Sequence, residues 1–265
     1  MQQTDGDPVA GASRRRRADA AEIAKFDRLA ERWWDPKGPM RGLHAMNPAR
    51  TRWVMRRIRR RLPGRPPRVL DIGCGAGLLA ESLAQEGCRV TAIDAAGEAV
   101  AAARRHAAEG GLSIDYRVAE AEELAEAGER FDVVTALEVI EHVGDQQGFM
   151  DTVARLLAPG GLAFVSTLNR TPASYLAAKV AAEYLLGLLP VGTHDWRNFV
   201  TPAELRSLCS RAGLRLEEVS GMAPDPLMRG FHETRITQVN YIAMAQGAMA
   251  QGAMAQGAMA QGAMA

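Results

Sequence analysis

Arg68-Val69-Leu70-Asp71-Ile72-Gly73-Cys74-Gly75-Ala76-Gly77-Leu78 is the stretch on which the reading of this chain turns. Its first five residues form a short apolar run, which reads as a strand buried on both faces. The glycines that follow supply a tight turn, and Leu78 to Glu86 carries a helical pattern. Working outward, the same alternation repeats. Arg89 to Ile93, Leu112 to Val118, Phe131 to Leu137 and Gly161 to Thr167 read as strands. Between them lie helical stretches at Glu98 to Ala108, an Ala/Glu-rich run, and Gln147 to Leu157. Thr201-Pro202-Ala203-Glu204 combines an N-cap, a proline at the first helical position and a capping-box glutamate, so a helix starts there. Leu214 to Val219 and Arg235 to Ile242 supply two last strands, seven in all. Strands alternating with helices predict an α/β fold, with a mostly parallel sheet covered by helices on both faces.

The glycine loop is a ligand site in this context. Glycine lets a ligand approach the backbone without meeting a Cβ. Asp94 closes the second strand 21 residues after Gly73, where an acid accepts hydrogen bonds from ribose hydroxyls. A dinucleotide loop spaces its glycines Gly-x-Gly-x-x-Gly, whereas here the third, Gly77, comes one residue early. Asp71 beside the loop would oppose a pyrophosphate, since like charges repel. It suits a ligand that brings an ammonium and a sulfonium. S-adenosyl-L-methionine is therefore favoured over NAD, with an NAD-linked oxidoreductase and a non-catalytic nucleotide-binding subunit as the rival classes.

Phe131-Asp132-Val133-Val134-Thr135 and Leu157-Ala158-Pro159-Gly160-Gly161, added to the loop and Asp94, resemble the Rossmann-like class I methyltransferase pattern. Within that class the chain resembles the ubiquinone-biosynthesis O-methyltransferases. The resemblance is carried by Trp33-Trp34-Asp35-Pro36, Leu43-His44 with Asn47-Pro48 and Arg50, Leu137-Glu138-Val139-Ile140-Glu141-His142-Val143, Ser166-Thr167-Leu168-Asn169-Arg170, Gly192-Thr193-His194-Asp195 and Val239-Asn240-Tyr241. The resemblance implies that Arg50, Gly73, Asp94 and Leu137 contact the methyl donor, alongside Asp71, Gly75 and Gly77 of the loop itself. It also implies a polyprenylated phenol, catechol or hydroquinone as acceptor, and partners from a ubiquinone-synthesis assembly. A methyltransferase for another small molecule is the alternative. Pro224-Asp225-Pro226 departs from the family pattern, which has an aromatic and an Asn before the proline, on the acceptor side.

Methyl transfer from a sulfonium is a displacement at carbon and needs a nucleophilic oxygen. A phenol with a pKa of about 10 is ionised in roughly one molecule per thousand at pH 7, a handicap of about 4 kcal/mol. Glu138, Glu141 and His142, at the carboxyl end of the fourth strand, are the candidate catalytic residues. Glu138 lies three residues from Glu141 and four from His142, so on a helical turn it shares a face with either. The three are also candidate ligands for a divalent cation, Mg²⁺ or Zn²⁺, that would acidify a bound phenol. Alternatively His142 alone serves as general base. His44 and His194 are candidate lining of the acceptor pocket, whereas His106 falls on a predicted surface helix. Trp33 and Trp34 cover the donor or the ring, or simply pack.

The rest of the sequence sets limits. A net charge of +1 gives no push towards nucleic acid. Cys74, Cys88 and Cys209 lack paired spacing, which suits a reducing cytoplasm. No secretory signal or uncharged span of about 20 apolar residues is visible. Residues 1–21 are polar and read as disordered, 22–242 as one methyltransferase domain, and 243–265 as a low-complexity tail of Ala-Met-Ala-Gln-Gly repeats. An Ala/Leu-rich helix over about 173–189 is an inserted lid or an element that dips into a membrane interface. With the basic run Arg56, Arg57, Arg59, Arg60, Arg61 and Arg65, it predicts peripheral contact with anionic lipid.

Overall fold

The computed structural model describes residues 29–180, 196–225, 227 and 230–249. Eight strands form one sheet in the order β3-β2-β1-β4-β5-β8-β6-β7. They are β1 Arg68–Ile72, β2 Arg89–Asp94, β3 Asp115–Val118, β4 Phe131–Leu137, β5 Leu157–Leu168, β6 Arg215–Asp225, β7 Gly230–Thr234 and β8 Asn240–Gln246. β3, β2, β1, β4 and β5 run parallel, and β8 enters antiparallel between β5 and β6. The sheet is Rossmann-like and mostly parallel as the sequence predicts, with one strand more than the seven expected. The addition is β7, a short partner of β6 within the expected loop between the last two strands.

The alternation of side chains along each strand divides the core in two. Val69, Val133, Leu162 and Phe164 face one layer, where they pack against α1 (Arg41–Arg61), α2 (Leu78–Gln85) and α3 (Gly97–Glu109). Their neighbours Leu70, Val134, Ala163 and Val165 face the other layer, with α4 (Ala121–Glu126), α5 (Gln146–Leu156) and α7 (Pro202–Arg211). Strands covered on both faces must be apolar throughout, which is why they read as continuous runs rather than as alternating ones. The helix predicted at Pro202 is there, with Thr201 and Glu204 exchanging the two capping-box bonds. α6 (Pro172–Val180) occupies the start of the expected inserted helix, whose remainder lies outside the described residues.

Two boundaries move. The last strand begins at Asn240 rather than Arg235, and it continues past 242 into the first repeat. Ala243, Met244, Ala245 and Gln246 pair with β5, and Met244 is fully buried against the α1 layer. A ladder is made by backbone groups, so a single repeat copy of alternating small and large residues completes it. The low-complexity reading therefore gives way at its first four residues. Residues 1–28 and 250–265 lie outside the described residues.

α1 spans 21 residues with Pro48 inside it and is fastened to the sheet by charge. Arg57 is buried, stacks on the Trp53 ring at 3.5 Å and meets Glu218 at 2.8 Å and Glu233 at 3.1 Å. Arg56 pairs with Glu233, Arg60 with Glu218, Arg59 with Glu86, Arg61 with Glu217 and Arg65 with Asp132. The run predicted to meet anionic lipid is thus matched by acids of the chain itself, which come from segments remote in sequence.

Candidate active site

The loops after β1, β2 and β4 gather at the carboxyl ends of the strands, where parallel sheets bind ligands. They bound a cavity of about 890 Å³, closed on the other side by the segment from Leu29 to Arg50. Arg50, Asp71, Gly73, Gly75 and Asp94 line it. So do Leu137, Glu138, Glu141 and His142. Every expected site residue except Gly77 is therefore brought to one space.

The glycine loop is held by its own backbone. Gly73 and Cys74 donate to the Ile93 carbonyl at 2.9 and 3.0 Å, tying the β1 turn to the end of β2. Asp94 accepts from the Gly75 N–H at 2.8 Å and from the Ala96 N–H at 2.9 Å. A carboxylate has about four lone-pair sites, so this bracing is compatible with a further ribose hydroxyl. Gly75 has φ +52°, and a Cβ there would run into the Trp33 ring. Gly77, at φ +89°, caps α2 and faces the Tyr116 hydroxyl instead of the cavity. The early third glycine is thus a packing requirement rather than a ligand contact. Cys74 is buried, and burial pushes its thiol well above the usual range, in keeping with an inert small side chain.

Asp71 is 2% exposed, and its Oδ1 accepts from the Thr135 hydroxyl at 2.6 Å, whereas Oδ2 has no partner. Burial raises its pKa to about 7, opposed by the Thr135 bond and assisted by the Asp94 charge. Such a carboxyl is stabilised in its ionised form by a cation and opposed to an anion. Arg50 offers the opposite charge: its guanidinium pairs with Glu138 at 2.5 Å while its buried Nε has no partner. An unsatisfied carboxylate oxygen and an unsatisfied guanidinium N–H in one cavity fit a zwitterionic amino-acid group, such as S-adenosylmethionine carries.

At the end of β4 the backbone is strained. Glu138 has φ +59°, the one non-glycine residue with positive φ among the described residues, at a cost of order 1–3 kcal/mol. It is held there by its N–H on the Ser166 carbonyl at 3.0 Å, by the Ser166 hydroxyl at 2.8 Å and by Arg50. The turn of helix expected to align Glu138 with Glu141 and His142 starts only at Ile140, as a short 3-10 turn through His142. Glu141 is buried, its Oε2 without a partner. Burial first, and then the Glu138 charge, raise its pKa to about 8 against the helping charge of His142. Among the described residues no three acidic, His or Cys side chains stand in metal-holding geometry.

Two histidines are placed differently from the sequence reading. His44 Nε2 meets the Trp33 carbonyl at 2.8 Å and its ring lies edge-on to Trp34, so it shapes the cap rather than the acceptor pocket. His106, to which no role was given, stacks flat on Trp34 at 3.4 Å and pairs through Nδ1 with the buried Glu81 at 2.9 Å. Trp34 also donates to the Ala76 carbonyl at 3.0 Å. Trp34 is a strap across the glycine loop and Trp33 is the wall beneath it. His194 lies outside the described residues. Thr135 and Ser166 were missed as well; only their place beside an ionisable partner marks them, and that exists only in three dimensions.

A glycine loop at the switch point of this sheet, beside a carboxyl oxygen and a guanidinium N–H that lack partners, defines an S-adenosylmethionine-dependent methyltransferase. A methyltransferase-domain family model matches residues 43–219. The magnesium protoporphyrin IX methyltransferase of Synechocystis PCC 6803, solved with bound SAH, shares the fold with a TM-score of 0.61 at 22% identity, over 85% of this chain and 95% of that one. A ubiquinone biosynthesis O-methyltransferase of Xanthomonas euvesicatoria pv. vesicatoria is 50% identical over 226 residues, covering 85% of this chain and 93% of the relative. One of Parvibaculum lavamentivorans is 46% identical over 238 residues, 87% and 94% of the two chains. The chain belongs to the ubiquinone biosynthesis O-methyltransferase family. It is an S-adenosylmethionine-dependent O-methyltransferase, and the oxidoreductase alternative falls.

Proposed function

We propose that the protein methylates a phenolic hydroxyl of a polyprenylated catechol or hydroquinone. The observation that carries this reading is the acid–base group of Glu138, Glu141 and His142, which shares one cavity with the donor loop and with the apolar side chains of Leu168, Pro224 and Phe231. The names of the relatives support the same acceptor class.

Bound S-adenosylmethionine supplies a methyl group on a positively charged sulfur. In this reading the chain's residues do the rest. Asp71 and the Arg50 Nε hold the amino-acid end, and Asp94 the ribose. Glu138, pinned by Arg50 and Ser166, presents fixed negative charge beside the acceptor. His142 takes the phenolic proton as the O–CH₃ bond forms and the S–CH₃ bond breaks, and the nearby Glu141 carboxyl supports the charge that His142 acquires. A carboxyl raised to about 8 and an imidazole are both better matched to a phenol of pKa about 10 than an ordinary carboxylate, which narrows the handicap of about 4 kcal/mol.

A divalent cation on Glu138, Glu141 and His142 is the second reading, favoured by the partnerless Oε2 of Glu141 but not by the present placement of the three, which is not a metal-holding one. It requires Arg50 to release Glu138. Chelator-treated protein that regains activity only with added Mg²⁺ or Zn²⁺ selects the cation, and full activity without metal selects the proton-transfer pair. Peripheral contact with membrane lipid is supported by exposed apolar side chains near the acceptor end, including Leu176 at 61% and Leu227 at 94% exposure, rather than by the arginine run. No helix among the described residues is long and apolar enough to cross a membrane. Contacts with other enzymes of ubiquinone synthesis belong to the same reading and rest on the family resemblance alone. The reading as a whole is tested by incubating protein, S-adenosylmethionine and a short-prenyl catechol. A product heavier by one methylene, absent with Asp94→Ala, supports it; donor binding without any such product overturns it.

A further inference from the structure

Asn240 opens β8 directly opposite Leu168, the last residue of β5, and both line the cavity. Its Oδ1 accepts the backbone N–H of Met222 in β6 at 3.0 Å. A backbone N–H can be met only by an acceptor, so this bond fixes which way the amide points, with Nδ2 turned away from β6. Among the described residues no hydrogen bond engages that Nδ2. Leu168, its partner across the ladder, Pro224 of β6 and Phe231 of β7 line the same cavity.

The register shows what the amide faces. Side chains alternate across the sheet, so Asn240 shares a face with Ile242 and Met244 of β8 and with Leu168, Ser166 and Phe164 of β5. That is the face covered by α1, where Trp53 meets Phe164 edge-on. It is also the face on which Ser166 and Arg50 hold Glu138. Thr167 and Tyr241 point to the opposite layer, where the Tyr241 hydroxyl meets the Val200 carbonyl at 2.9 Å. The oriented donor and the pinned carboxylate therefore stand on one side of the sheet, at the ends of β8 and β4 with β5 between them. Asn240 is half-buried, and its Nδ2 carries no protein partner among the described residues, so the N–H is free to be met by a ligand that displaces water from the cavity.

We infer that Asn240 Nδ2 donates to the second ring oxygen of the acceptor, the one vicinal to the oxygen being methylated, and so selects vicinally oxygenated rings over monophenols. The inference rests on the phenolic-acceptor reading above. A hydroxyl, phenolate or methoxy oxygen can each accept this bond. The amide adds no step to the reaction; it sets which way round the ring lies against the methyl donor.

The test compares a short-prenyl catechol with the matching phenol that lacks the second hydroxyl, in wild type, Asn240→Leu and Asn240→Ser. Leu keeps the volume and removes both polar atoms. Ser keeps a hydroxyl too short to serve Met222 and the ring together. Melting temperature and donor affinity check that each variant is folded. Wild type is expected to favour the catechol in kcat/KM by at least about tenfold, since a site built to bond a hydroxyl rejects the analogue without it. In each folded variant the preference falls towards unity, chiefly through a higher KM for the catechol. A preference that survives in the variants overturns the assignment of Asn240 and leaves the phenolic reading standing. A wild type that binds the donor and methylates neither ring overturns both.

Discussion

The donor half and the acceptor half of the cavity are built by different means. On the donor side, backbone does the work. Gly73 and Cys74 are tied to Ile93, Gly75 and Ala96 to Asp94, and the conformation is one that glycine reaches freely. On the acceptor side, side chains do it: Glu138 beyond β4 is held by Ser166 on β5 and by Arg50 of α1, which spans both halves, and Asn240 joins the cavity from β8. A backbone site is rigid by covalent geometry and a side-chain site by mutual charge. The loop backbone should fail through shape, and the titrating side chains, Asp71 on the donor side among them, through protonation.

The sharpest way to break that contrast is to remove the acid–base pair. His142→Ala and Glu141→Gln are expected to lower kcat by about 10²–10⁴-fold, the usual range for proton-transfer groups, with donor affinity within about threefold of wild type. Equal loss of donor binding, read by calorimetry, would show that the two halves are not separable. Next in size is Gly75→Ala. Its Cβ would collide with Trp33 at φ +52°, so donor affinity should fall on the order of 10²-fold, with about 1–3 kcal/mol of stability lost in denaturant. Unchanged affinity would mean that the Trp33 wall yields freely.

A third prediction concerns pH. Asp71, raised to about 7, takes up a proton in the folded, ligand-free protein that the unfolded chain would already have lost. Its contribution to stability is therefore greatest at low pH and declines as pH rises from the ordinary carboxylate range to about 7. A cationic ligand reverses the sign by favouring the ionised form. Donor affinity should weaken by up to about tenfold per pH unit below 7, level off above it, and release a proton on binding near pH 6.5. Asp71→Asn should abolish the proton release and melt higher than wild type above pH 7. Calorimetry in two buffers of different ionisation enthalpy decides it. The smallest effect is expected from Arg60→Ala, whose exposed pair with Glu218 is worth under about 1 kcal/mol and is screened by salt. A larger loss would make the α1 network a cooperative clamp.

The same contrast explains what could be read in advance. The donor side was legible because its signals are local: a strand, three glycines, and an acid one strand later. The capping box at Thr201 was legible for the same reason. On the acceptor side Glu138, Glu141 and His142 reach the cavity, but not in the expected arrangement. Glu138 does not sit on a helical turn with Glu141 and His142, because its positive φ breaks the chain's course before Ile140. The arginines of α1 looked like a surface for lipid because their partners, Glu218 and Glu233 among them, lie more than 150 residues away. The placement of His44 and the role of His106 depend on tryptophans outside their own helices, Trp34 above all.

Sequence by itself determined the parallel sheet, the glycine loop at its switch point, and a donor that carries positive charge. Periodicity, glycine and a carboxyl at a strand end act over a few residues, so they are written in neighbouring letters. Only the tertiary structure decided that the first repeat of the tail completes the sheet, that α1 is neutralised by the strands it covers, and that Asn240 has a donor to spare. Each of those depends on which groups meet across the sheet, and pairing across the sheet is settled by packing and register rather than by proximity along the chain.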